Sequence, residues 1–265
     1  MITDTGGAYR PLTDDDKKSL EQQLKRPIND FKRNKLLKET KKNWDLFYKR
    51  NGVNFFKDRH WTVREFEELA GACERKDVLL EVGCGVGNFL FPLFSEKIIS
   101  FAYACDISEK AIELVKQNPL CNENEVNAFQ CDITKNQLSE HIPINSVDIA
   151  SLIFVLSAID PKLFNKGLGN INKILKPGGV LLFRDYGLYD MAQIRFGPGH
   201  KMGENWYVRQ DGTFSYYFSK QFAEELFIKA GFEVEISDYV TRRTINKKEN
   251  VDVERIFMQG KYRKK

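Results

Sequence analysis

Glu81, Gly83, Gly85 and Gly87 stand at alternate positions in the run Val78-Leu-Leu-Glu-Val-Gly-Cys-Gly-Val-Gly-Asn88. Glycine has no Cβ, so backbone can pass close to a ligand there, and a helix opening just beyond offers unpaired N–H groups. An apolar strand entering such a turn is a device for holding a nucleotide. A dinucleotide fingerprint, G-x-G-x-x-G, would place its third glycine at position 88, where this chain has Asn88. The spacing is instead E-x-G-x-G-x-G.

Two carboxylates follow in order. The apolar run Ile98–Cys105 closes on Asp106, about 20 residues past the glycines, where an acid can accept both hydroxyls of a ribose. An N-cap is the competing role for Asp106, but Ser108 can cap the next helix itself and leave Asp106 available. Ala128-Phe-Gln-Cys-Asp-Ile-Thr134 closes on Asp132. Together these strand ends resemble the cofactor motifs of Rossmann-like methyltransferases that use S-adenosylmethionine, in which an acid at the Asp132 position bonds the adenine amino group.

The elements that must position these groups alternate. Strands are expected at 78–83, 99–105, 126–131, 147–153 and 179–184, with helices at 87–94, 108–117 and 161–175. Lys176-Pro-Gly-Gly179 reads as a helix stop and tight turn. Such alternation makes a mostly parallel sheet with helices on both faces, and its ligand lies outside the carboxyl ends of the strands. A helix at 219–230 and strands near 232–240 and 252–262 would close the sheet with an antiparallel hairpin. Before the sheet, helices are expected from Thr13 through Leu24, over Asn34–Lys49 and over Thr62–Leu69. The expected organisation is a basic helical extension or lid over 1–70, then an α/β domain over 71–265 with a substrate-recognition insertion near 185–218.

Composition narrows the class. The chain has 265 residues, 42% hydrophobic and 29% charged, which suffices for one compact domain with a modest appendage. No apolar run is long enough to cross a membrane, and the first residues lack the features of a secretory or mitochondrial leader. Five scattered cysteines without a C-x-x-C pair, and three distant histidines, support neither a metal site nor a disulfide framework. Reduced thiols imply an intracellular protein; the cytoplasm is the expected compartment, with the nucleus as a further one. Net charge is only +4, yet Lys17–Arg50 holds twelve Lys or Arg against four Asp or Glu, and the C-terminal segment is basic too. Basic ends around a near-neutral middle suit a polyanionic partner, although a solvated lysine-rich helix face would look the same. A monomer is expected, for want of an obvious apolar patch.

The insertion carries Phe183-Arg-Asp-Tyr-Gly-Leu-Tyr-Asp-Met-Ala-Gln-Ile-Arg195 and Gly203–Phe218, rich in arginine and tyrosine. A nucleobase needs planes to stack on, donors for its edge and cations for the adjoining phosphates. An aromatic hairpin packed over the sheet is the plainer alternative.

Trp44-Asp-Leu-Phe-Tyr-Lys, Phe55-Phe-Lys-Asp-Arg-His-Trp61, the glycine run, Leu152–Ala158 and Arg184-Asp-Tyr-Gly-Leu-Tyr-Asp190 together resemble the tRNA 3-methylcytidine methyltransferases, over roughly 40–262. The resemblance implies a Rossmann-like class I fold with a seven-stranded sheet, S-adenosylmethionine as cofactor, and methylation of N3 of the cytidine at position 32 of the anticodon loop. In the branch most similar to this chain, the implied substrate is serine tRNA and the implied partner seryl-tRNA synthetase. By position, the implied cofactor contacts are Trp44, Tyr48, Gly83, Asp106, Asp132, Ile133 and Ile153, beside Gly85 and Gly87 of the loop. Asp185 is the first choice for a carboxylate facing the reacting base, unless it serves only as a salt-bridge partner of Arg184 or an insertion arginine. Phe55, Phe56, Arg59 and His60 are candidates for stacking on the base or holding phosphates, with Arg184, Tyr186, Tyr189, Arg195 and Arg209 beside them. A methyltransferase acting on a small molecule or a protein, and an inactive RNA-binding subunit, remain the alternatives at the level of sequence.

Overall fold

In the computed structural model, residues 8–53, 55, 57–59, 62–246 and 251–265 are described. The parallel strands are β1 (Val78–Val82), β2 (Phe101–Asp106), β3 (Val126–Gln130), β4 (Val147–Ile153) and β5 (Leu175–Tyr186). The antiparallel β9 (Phe232–Asn246) and β10 (Val251–Lys264) complete a seven-stranded sheet of order β3-β2-β1-β4-β5-β10-β9. A separate three-stranded antiparallel sheet, β6 (Lys201–Gly203), β7 (Trp206–Val208) and β8 (Phe214–Tyr216), is built from the insertion. This is the Rossmann-like class I methyltransferase architecture that the resemblance implied.

Side-chain parity explains the layers, because successive residues of a strand face opposite sides. Leu80, Val82, Ala150, Leu152, Leu181 and Phe183 join one core, shared with α8 (Phe164–Ile174) and α10 (Lys220–Lys229). Leu79, Ile149, Ile153, Val180 and Leu182 join the other, with α6 (Leu90–Ser95) and α7 (Glu109–Lys116). Glu81 and Ser151 are buried polar members of this second series. Both helices after β1 and β2 start later or end sooner than expected, because the glycine turn occupies residues assigned to the first of them. β5 begins at Leu175, four residues before the expected start, because Leu175 already pairs with Val147 across an irregular register.

Among the described residues, five α-helices precede the sheet: α1 (Asp14–Gln23), α2 (Asp30–Lys38), α3 (Thr40–Asn51) and the short α4 (Thr62–Glu65) and α5 (Ala72–Arg75). The single helix expected over Asn34–Lys49 is therefore two. The Thr40 hydroxyl donates to the Leu37 carbonyl at 3.0 Å, satisfying part of the end of α2 while α3 starts in a new direction. Thr13 caps α1 reciprocally with Asp16, as its position suggested. Buried Gln23 then donates to the Gln193 carbonyl at 2.9 Å and accepts from the Tyr207 hydroxyl at 2.9 Å, docking α1 onto the insertion.

The insertion is held from the other side by one buried carboxylate. Asp190, fully buried at the start of α9 (Met191–Ile194), accepts from Arg255 at 2.9 Å and from the Ile256 amide at 2.8 Å. It also accepts from the Ala192 amide at 3.0 Å. Asp190→Ala would strand the Arg255 charge, and breaking such a pair costs about 3 kcal/mol or more. A urea midpoint for that variant displaced by less than about 1 kcal/mol in stability would mean the pair behaves as a solvated one.

Candidate functional site

β1 ends in a turn whose residues Gly83 and Gly85 have positive φ, 64° and 55°. The Gly85 amide donates to Asp106 at 2.9 Å, and the Ser108 amide donates to the other Asp106 oxygen at 2.8 Å. Asp106 is thus not idle, as the sequence suggested, although a carboxylate has further lone pairs for a ligand hydroxyl. Ser108 does cap α7, accepting from the Ala111 amide. Burial pushes the Asp106 pKa up to about 6 against the pull of these amides.

A crevice of about 210 Å³ opens at these strand ends, between β1 and β4, where the chain reverses its winding order. Gly83 and Asp106 line it on the sheet side, with Ile107, Asp132 and Ile133 along it and Phe154, Val155 and Ile159 opposite. The remaining wall includes Trp44 and Tyr48 of α3, stacked on each other with ring centroids 5.9 Å apart, together with Leu37 of α2 and Phe214 of β8. The Tyr48 hydroxyl lies 2.9 Å from where a Cβ on Gly85 would sit, so a side chain there would lift α3 away.

Of the nine residues implied for the cofactor, Trp44, Tyr48, Gly83, Asp106, Asp132 and Ile133 share this crevice. Gly85 and Gly87 shape the turn from behind, Gly85 beneath Tyr48 and Gly87 against the Phe91 ring. Ile153 is buried in the sheet, and its carbonyl faces Arg59 Nη1 at 3.4 Å. Asp132 accepts from the Thr134 hydroxyl at 2.6 Å and pairs with Lys135 at 3.0 Å. Burial opposes its charge, but those bonds win and hold its pKa below the usual range.

Behind the crevice, Glu81 is buried and one of its oxygens has no hydrogen-bond partner. Burial drives its pKa up to about 8, with Arg59 opposing the shift. Burial likewise lowers the Arg59 pKa, while Glu81, Tyr186 and Tyr48 favour its charge. An acceptor for a ribose diol at Asp106, apolar walls for a flat base, and a buried Glu81 oxygen without a hydrogen-bond partner among the described residues fit an adenosyl ligand such as S-adenosylmethionine.

A second, open cleft of about 920 Å³ adjoins it. Arg50 of α3, Arg195, Arg209 and Arg255 line it, along with Phe55, Tyr186, Phe196, His200 and Tyr217. Tyr186 lies under two guanidinium groups, Arg209 at 5.4 Å and Arg255 at 5.9 Å from its centroid. The partition between crevice and cleft is the pair Phe154 and Tyr186, with centroids 5.2 Å apart. Phe154 has a φ of 62°, a strained value for a phenylalanine, just past β4.

Among the residues expected at the substrate, Phe55, Tyr186, Arg195 and Arg209 line this cleft; Arg59 does not line it and lies beside the Phe154 ring. Arg184 does not reach it: the side chain is buried, ion-paired with Glu65 and set against Phe257. Tyr189 is buried with Leu20 and Leu188 under α1. Phe56 and His60 lie outside the described residues. Asp185 is fully buried and lines neither space; it accepts from the Ser157 amide at 2.8 Å and the Tyr186 amide at 2.9 Å. Neither Arg184 nor an insertion arginine is its hydrogen-bond partner. Burial raises its pKa to about 6. Arg50, Phe196, His200, Tyr217 and Arg255 were not singled out from sequence; for Arg255 only the basic character of the C-terminal segment pointed that way.

Residues 48–236 match the family model of a methyltransferase domain. The chain is 56% identical over 250 residues to the human tRNA N(3)-cytidine methyltransferase METTL6, covering 92% of this chain and 88% of the relative. It is 42% identical over 241 residues to the tRNA N(3)-methylcytidine methyltransferase trm141 of Schizosaccharomyces pombe, covering 89% and 97%. A solved SAM-dependent methyltransferase from Anabaena variabilis matches with a TM-score of 0.61 at 12% identity, covering 92% of this chain and 98% of that one, a likeness of fold alone. With this architecture, this crevice and relatives matching along nearly its whole length, the chain belongs to the tRNA N(3)-cytidine methyltransferase family and is an S-adenosylmethionine-dependent methyltransferase.

Proposed function

We propose that the chain methylates N3 of an unpaired cytidine in tRNA, the target being position 32 of the anticodon loop of serine tRNAs, and that it works as a cytoplasmic monomer assisted by seryl-tRNA synthetase. The observation that carries the RNA reading is the contact of the two spaces at Phe154 and Tyr186, with the crevice bordered by Asp106 on one side and an arginine-lined aromatic cleft on the other. The names of the human and fission-yeast relatives agree with tRNA and with N3 of cytidine. The serine isoacceptors, position 32 and the synthetase rest on the family resemblance of the sequence blocks.

When bound, the cofactor supplies an electrophilic methyl group on a sulfonium. Cytosine N3 keeps its lone pair at neutral pH, so no strong general base is required. The protein must hold N3 in line with that methyl and exclude water. Tyr186 offers a stacking plane, and Arg50, Arg195 and Arg209 offer cations for phosphates on either side of a flipped base. Asp106 accepts the ribose diol, and Trp44 and Tyr48 cover the adenosyl group. Asp185 acts at one remove, holding Ser157 and so the loop after β4 that lines the crevice. An open, basic cleft disfavours a small apolar acceptor, and the intact Glu81, Gly83 and Asp106 disfavour an inactive scaffold.

Incubation with bulk tRNA and labelled cofactor, followed by nucleoside analysis, is expected to yield 3-methylcytidine at position 32 of serine tRNAs. Methyl appearing on another atom or only on a protein or small molecule would overturn the reading. Asp106→Ala removes a charged acceptor for two hydroxyls, worth about 3 kcal/mol together, so calorimetry should find cofactor affinity lower by roughly a hundredfold. Because the ionised form accepts those bonds, affinity of the parent protein should fall as pH drops through about 6, by up to about tenfold per unit below it; a flat profile between pH 7 and 5 would exclude Asp106 as the acceptor. Asp185→Asn leaves one backbone amide facing an NH₂ group, so both thermal stability and cofactor affinity should decline. A variant impaired in turnover alone would place Asp185 against the base instead.

A further inference from the structure

The two faces of α3 serve different spaces. Trp44 and Tyr48 cover the crevice, whereas Phe47, Arg50 and Asn51 form a wall of the cleft. The helix is fastened on two sides near its N-terminal end. On the cofactor side, the buried Ser108 hydroxyl donates to Asp45 at 2.7 Å, and the Lys110 amide approaches the same oxygen at 3.3 Å. Ser108 is the residue whose amide is held by Asp106. On the substrate side, Asn43 donates to the Gly212 carbonyl at 3.1 Å. Gly212 has a φ of 82° and packs so tightly that a Cβ there would lie 2.7 Å from Asn43. It belongs to the turn between β7 and β8 that presents Arg209, Gln210 and Asp211 to the cleft.

As closed, the crevice holds about 210 Å³, below the roughly 300 Å³ at which ligand pockets begin. The sheet side and the loop after β4 are fixed by the strand ladders and by Asp185. The wall able to yield is α3, which meets its surroundings through side chains.

We propose that α3 is a shared wall that makes binding ordered: the cofactor enters first, and RNA in the cleft locks it in until the RNA leaves. Asp45 and Asn43 are the positioning residues of this coupling, Asp45 latching the helix over the cofactor and Asn43 transmitting its position to the β7–β8 turn. Moving α3 outward to pass the cofactor withdraws Arg50 and releases Gly212, so the cleft is complete only when the crevice is shut. RNA that grips Arg50 and Arg209 together resists the same movement, and linkage makes the effect mutual. The inference rests on the cleft being the RNA site.

The test is the dissociation rate of S-adenosylhomocysteine from the intact protein, followed by tryptophan fluorescence after rapid dilution, with and without a saturating anticodon stem-loop. RNA binding is measured in parallel by fluorescence anisotropy. Bound RNA is expected to slow release at least tenfold in the parent protein. Asn43→Ala should retain measurable RNA binding yet lose most of that slowing. Asp45→Ala should release the ligand several-fold faster without RNA, while Asp45→Asn, whose amide oxygen can still accept from Ser108, should stay near the parental rate. Bound RNA with an unchanged release rate would overturn the coupling and leave the assigned substrate standing. RNA that does not bind at all would bring down the assigned substrate and the coupling together.

Discussion

One buried carboxylate organises the functional end of this molecule. Asp106 grips the Gly85 amide on one side and the Ser108 amide on the other, so the glycine turn after β1 and the start of α7 are fixed relative to each other. Ser108 then reaches Asp45, which brings α3 across the strand ends. The left-handed backbone at Gly85 is required twice over, once to aim its amide at Asp106 and once to leave room for the Tyr48 hydroxyl. Keeping an acid this deeply buried is costly, and the upward displacement of its pKa records that cost. A sheet of this kind needs no such carboxylate for its own stability. Its retention makes sense as a pre-placed acceptor for a polar ligand.

The basic cleft, by contrast, is assembled from distant pieces of chain. Arg50 comes from α3, Arg195 and Arg209 from the insertion, and Arg255 from β10 beyond the last residue paired with β5. Asp190 ties the last of these to the insertion, and Gln23 ties α1 to the same region. Each contribution is a modest cation, and convergence concentrates positive charge along one cleft. The hairpin of β9 and β10 outruns β5, and its projecting part is steadied by ion pairs of Arg242 with Glu65 and Arg243 with Asp252.

Much of the sheet was legible because its signals are local. β4 runs over 147–153 as its largely apolar sequence implies, and the strand ends marked by Asp106 and Asp132 both border the crevice. What was not legible depends on long-range packing. The break between α2 and α3 has no proline or glycine to announce it. The residues read as an aromatic insertion form a three-stranded sheet, whose Tyr207 stacks on Phe196 of the segment before it with centroids 4.7 Å apart. Arg184 and Tyr189 share the composition of substrate contacts, yet one spends its charge on Glu65 and the other is covered by α1. Residue type cannot separate a cation facing RNA from one bound to a neighbouring carboxylate. Arg255 shows the converse, since it has a carboxylate partner and still borders the cleft.

The central claim is that the crevice between the glycine turn and α3 receives the adenosyl donor, with its ribose on Asp106 and its base beside Ile133. A crystal structure of the protein with S-adenosylhomocysteine tests this most directly. The account expects density for the ligand between Trp44, Gly83 and Asp132, with both ribose hydroxyls within hydrogen-bond distance of Asp106. Ligand density located elsewhere, or a crevice that stays closed at saturating ligand, would contradict it.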